Sequence, residues 1–115
     1  MYALFIVLNQ TDYLDVILER FVEIGVTGAT VLDSQGMAGA IANSERSLPL
    51  FGSLKTLMDG ARPYNKTIFT VLKNEEMVEK TAAAVQDVLK DLPPRGIGFM
   101  FSVPIGKVYS LGSRE

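Results

Sequence analysis

The chain begins Met1-Tyr2-Ala3-Leu4-Phe5-Ile6-Val7-Leu8, and residues 2–8 are apolar at every position. A run of this length, rich in β-formers and ended by Asn9-Gln10-Thr11-Asp12, predicts a buried strand. A strand with one solvated face alternates apolar and polar residues. This one does not, so both of its faces need cover. The run is far short of the roughly 20 residues that span a bilayer. It also lacks a basic leader and a small-residue cleavage site. A cytoplasmic protein is therefore expected.

Outward from this strand, the pattern changes period. Leu14, Ile17, Leu18, Phe21 and Ile24 recur at helical spacing, with Gly25 at the C-cap position. The spacing predicts a helix over 12–24, N-capped by Thr11 or Asp12. Residues 29–34 predict a second strand. Residues 35–65 carry glycines and prolines and are expected as one long loop, with an apolar turn at Leu54, Leu57 and Met58. A third strand is predicted over 66–72. Asn74 then caps a second helix whose buried face is Val78, Ala82, Val85 and Leu89, stopped by Pro93-Pro94. A fourth strand is predicted over 97–103, with a short added strand at 107–109.

The order βαββαβ implies an α+β, ferredoxin-like arrangement, read as a single domain over 1–115 with a long loop between strands 2 and 3. Two helices cover one face of a four-stranded sheet. The fourth strand is apolar on both faces as well, through Ile97, Phe99, Phe101 and Val103 against Met100. The second face is expected to be buried by another subunit. The other reading is that the long loop or the tail folds over it.

Composition narrows the chemistry. The 115 residues include 11 basic and 13 acidic, a formal charge of −2, with no Cys and no His. Disulfides, thiolate nucleophiles, Ser–His–Asp triads and His- or Cys-based metal sites are excluded. A slightly acidic chain lacks the basic footprint of a nucleic-acid binder. The 48% apolar content excludes a disordered chain. Three local features remain. Gly25, Gly28, Gly36 and Gly39 sit near strand ends, where bare backbone lets a phosphate approach, although Gly25 reads as a helix cap. Pro93-Pro94-Arg95-Gly96-Ile97-Gly98 makes a tight turn carrying one cation. Leu48, Leu50, Phe51, Leu54, Leu57 and Met58 make an apolar docking element or a self-packed loop.

These residues resemble the PII signalling proteins, in register over about 2–110. Glu23-Ile24-Gly25-Val26-Thr27-Gly28-Ala29-Thr30-Val31 is similar to that family's helix-to-strand segment. Gly36 stands where the family's long T-loop begins, and Pro63 and Lys66 where it ends. Gly96-Ile97-Gly98 followed by Phe101-Ser102-Val103 is similar to its phosphate-side loop and last core strand. The resemblance implies a homotrimer with sheets facing inward and a role in nitrogen regulation. It also implies a small ligand in the clefts between subunits and a mobile 36–62 loop that engages an enzyme or membrane transporter. The residues implied for the ligand are Val7, Thr30, Gly36, Met37, Arg95, Gly96 and Gly98. Those for the partner are Leu50, Phe51, Leu54 and Met58.

Phe99, Ser110 and Gly112 stand where the family carries phosphate-binding lysine and arginines. The ligand is thus left open between ADP, AMP and ATP, in a non-standard member of the family with most of the phosphate-directed charge gone. A regulator rather than an enzyme is expected, with no metal and no nucleic-acid partner. The alternatives are an acylphosphatase-like enzyme using Arg95 with Asn9 or Asn65, and a structural trimer without ligand.

Overall fold

A computed structural model of the chain describes residues 1–42 and 64–112. The expected partner contacts Leu50, Phe51, Leu54 and Met58 lie outside the described residues. The elements are β1 (Tyr2–Leu8), a 3-10 turn (Thr11–Tyr13), α1 (Leu14–Glu23), β2 (Thr30–Gln35), α2 (Met37–Ala42), β3 (Tyr64–Leu72), α3 (Glu75–Leu89) and β4 (Gly98–Pro104). The four strands form one antiparallel sheet in the order β2-β3-β1-β4. This is the ferredoxin-like α+β arrangement that the element order implied.

Alternation along β1 divides its apolar residues between two faces. Leu4, Ile6 and Leu8 join Ile68 and Leu72 of β3 on the helix side. There they meet Ile17 and Phe21 of α1, Val26, and Val85 of α3. Burying each such side chain contributes about 1.5–3 kcal/mol. Arg20 of α1 donates to Asp87 of α3 at 2.8 Å and ties the two helices at their outer edge.

The other face of the sheet carries Phe5, with Phe69 and Phe101 as its direct partners on β3 and β4. Ring centroids lie 5.6 Å from Phe5 to Phe69, 5.0 Å from Phe5 to Phe101 and 6.1 Å from Phe101 to Phe99. Four phenylalanines thus stack across three strands. Phe99 is 63% exposed and Phe101 45% exposed, so the described tail does not cover them.

Several expectations need correction. Neither Thr11 nor Asp12 caps α1; those residues form the 3-10 turn, and no side chain accepts at the helix start. The span 35–65 is not loop throughout. Met37-Ala38-Gly39-Ala40-Ile41-Ala42 is helical, as its alanines favour, and Ala40 N donates to Gly36 O at 3.0 Å. The buried face of α3 is turned: Thr81 and Ala84 are fully buried with Val85, while Val78, Ala82 and Leu89 are half-buried. Thr81 satisfies its hydroxyl within the helix by donating to Met77 O at 2.7 Å, which is why a polar residue is tolerated there. No strand forms at 107–109. Ile105 N donates to Met1 O at 3.0 Å, and the tail then leaves the sheet.

Candidate functional site

The residues expected at a ligand site fall into two groups. Val7, Gly36, Met37, Arg95, Gly96 and Gly98 lie at the end of the sheet where β1 and β2 finish and β4 begins. Asn74 caps α3 by accepting from Met77 N at 2.9 Å. The helix then runs to Leu89, and the 94–98 turn returns the chain to the sheet. Arg95 and Gly96 are exposed in that turn, where Gly96 takes φ +73°. Gly98 opens β4 hard against the Val7 backbone. A cleft of about 380 Å³ lies behind this corner, between β1, β4 and the end of α3, lined by Leu8, Val85, Gln86, Leu89, Pro94 and Gly98 among others.

Thr30 stands apart. It opens β2, the opposite outer strand, three strand spacings or roughly 14 Å from β4. It lines a second, larger cleft of about 930 Å³, formed by residues 25–30, the end of β3 and the tail at Val108 and Ser110. Lys73 lines this cleft. The ion pairs among the described residues join Arg20 to Glu23 and Asp87, Lys66 to Asp33, and Lys90 to Asp87. Neither Arg95 nor Lys73 takes part in them. The second cleft thus offers the Lys73 cation with the hydroxyls of Thr27, Thr30, Thr70 and Ser110, while the first is mostly apolar and backbone-lined with Arg95 exposed in the adjoining turn; the described lining of neither holds a carboxylate pair. Among the described residues no three acidic side chains gather where they would hold a metal.

Between the two outer strands lies a polar cluster that sequence reading reached only in part. Asn65 of β3 is buried, 7% exposed. Its amide nitrogen donates to Asn9 Oδ1 at 3.3 Å, and its amide oxygen accepts from Ser34 Oγ. Ser34 also lies 2.8 Å from Thr67 Oγ1. The enzyme alternative pairs Asn9 or Asn65 with Arg95. Here the two asparagine side chains bind each other, and Asn65 is further engaged by Ser34. The cluster joins residues 56 apart in sequence, and only the pairing of β2 with β3 and β3 with β1 brings them together.

No helix among the described residues is long and apolar enough to cross a membrane. No protein-family model and no characterised protein sequence matches the chain. Among solved structures, the chain is similar to the PII protein of Arabidopsis thaliana bound to citrate. The TM-score is 0.67 and the identity 15%, over 96% of this chain and 81% of that one. The ferredoxin-like sheet of this chain therefore has the fold of a PII protein.

Proposed function

We propose that this protein is a PII-like regulator that binds a small ligand between subunits and controls a partner protein through its 36–62 segment. The observation that carries this reading is the division of the site. Thr30 and Val7–Gly98 line clefts on opposite outer parts of one sheet, so a single ligand touches both sets only where two copies meet. The stacked phenylalanine face supplies the contact between copies. It is apolar, uncharged and rimmed by polar strand ends, which suits a second copy better than a charged partner. Three copies with their sheets facing inward are the expected assembly.

With Lys73 the one cation among the described residues that line either cleft, the site suits a ligand of low charge better than a triphosphate, because charge-assisted bonds are the strong ones. Among nucleotides the expected order of preference is AMP or ADP over ATP. A small carboxylate such as the citrate of the Arabidopsis protein is a second class to include. The reading describes a cytoplasmic, non-catalytic switch, in which the ligand favours one state of the loop over another.

A thermal-shift panel of ATP, ADP, AMP and citrate tests it. A ligand that binds the native state stabilises by RT ln(1 + [L]/Kd), about 2.7 kcal/mol at a hundred times Kd. Stabilisation that is lost with Thr30→Ala and with Arg95→Ala supports a shared cleft. No shift with any panel member, or a monomer by light scattering, refutes it.

A further inference from the structure

We propose that Asn9, Asn65 and Ser34 form a hydrogen-bond relay with two discrete polarities, coupling the 94–98 turn to the start of α2, with Thr67 as a side partner of Ser34. The main chain links the relay to the turn at Asn9, and side chains carry it from Asn9 to Ser34. Asn9 N donates to Ile97 O at 2.8 Å, anchoring Asn9 to the turn. Asn9 Oδ1 accepts from Asn65 Nδ2 at 3.3 Å. Asn65 Oδ1 accepts from Ser34 Oγ. Ser34 has a single hydroxyl proton, already given to Asn65, so at 2.8 Å Thr67 Oγ1 is the donor and Ser34 the acceptor. Ser34 lies two residues before Gly36, and Asn65 Nδ2 is 3.5 Å from where a Cβ on Gly36 would stand.

Proton counting makes the relay two-state. If Asn65 alone turned its amide over, Oδ1 would face Asn9 Oδ1, an acceptor against an acceptor. The reversed state is satisfied when Asn9 presents its own Nδ2 and Ser34, accepting from Asn65 Nδ2, turns its proton to Asn65 O at 3.3 Å or to Thr67 Oγ1. Asn9, Asn65 and Ser34 therefore reverse together or not at all, and Thr67 follows only where Ser34 turns toward it. Burial of Asn65 raises the cost of a half-reversed state, since a buried polar group without its partner costs about 1–3 kcal/mol. In the observed polarity Asn9 keeps its Nδ2 hydrogens for an acceptor beside the 94–98 turn. In the reversed polarity it offers an oxygen there instead. A change at the turn thus reaches Ser34 and Gly36 through a bistable element, which is what coupling between sites physically requires. This coupling belongs to the chain itself and holds whether or not the cleft takes a ligand.

A double-mutant cycle on the full chain tests the relay. Asn9 and Ser34 share no hydrogen bond and meet only through Asn65. Urea unfolding of Asn9→Ala, Ser34→Ala and the double variant is expected to depart from additivity by about two- to thirty-fold in the unfolding equilibrium constant. The departure should vanish with Asn65→Leu as background. Additive effects, or the same departure with Asn65→Leu, overturn the proposal. Amide exchange gives a second measurement that needs only the surface-end variant. Asn9→Ala is expected to raise exchange of the Ala40 amide, which donates to Gly36 O. A rise confined to amides near residues 9 and 97 would overturn the relay even if the Asn65 variant does not fold.

Discussion

A Cβ added to Gly98 would lie 2.0 Å from the carbonyl oxygen of Val7 and 3.1 Å from its carbonyl carbon. No side chain fits there, because the obstacle is the backbone of β1 and not a movable group. Gly98 also takes φ +139°, which an L-residue rarely adopts. The family resemblance implies a ligand contact for both residues. In the fold their relationship is first a strand contact: Gly98 lets β4 approach β1 at its pairing with Leu8.

Gly98→Ala is therefore expected to destabilise the protein by at least about 2 kcal/mol, combining overpacking with backbone strain. Urea unfolding measures it. A midpoint within error of the parent would show that β4 does not approach β1 this closely.

The phenylalanine face makes a separable prediction. Phe99→Ser removes the most exposed ring of the stack and Phe101→Ser the next. If copies meet on this face, each change costs on the order of 2 kcal/mol of association and shifts the mass toward the monomer. Sedimentation at several concentrations reads this. An unchanged mass for the double variant would place any assembly elsewhere. Binding of single-stranded RNA by the parent would instead mark the rings as a stacking platform.

The start of α3 rests on one side chain. Asn74 accepts from Met77 N at 2.9 Å, and Glu75 and Glu76 occupy the first turn. Asn74→Ala should cost about 1 kcal/mol, and Asn74→Asp should keep most of the stability. Equal losses from the two would mean that the cap contributes little.

Acid should loosen the clasp between α1 and α3. The hydrogen bond from Arg20, followed by that from Lys90, holds the Asp87 carboxyl below its usual range. A carboxyl depressed in the folded state contributes stability above its unfolded pKa, about 3.9, and loses it as pH falls through the folded value. The difference in stability between the parent and Asp87→Asn should thus be present at pH 7, small because the pair is exposed, and lost as pH falls below the ordinary carboxylate range and through the lowered folded value. It should also shrink with added salt. A difference that grows on acidification would contradict the pairing.

Local patterning sets the main strands and the two long helices, their order and the two apolar faces of β1. Periods of two and 3.6 are local, so β1, α1, β3, α3 and β4 could be read within a residue or two. The unbroken apolar run of β1 announced a second face in need of cover, and the stacked rings of Phe5, Phe69, Phe99 and Phe101 lie on that face. The short helix Met37–Ala42 was missed because glycines and neighbouring prolines outweighed its alanines. The remaining features depend on pairing between distant strands. Register sets Gly98 against Val7 and turns a presumed ligand glycine into a steric requirement. Register also gathers Asn9, Ser34, Asn65 and Thr67, four polar residues whose positions along the chain do not show that they meet. The sheet order places Thr30 and Gly98 on opposite outer strands. That separation comes from strand pairing, because β2 follows β1 through α1 and β4 follows β3 through α3, and only the sheet sets them at opposite edges.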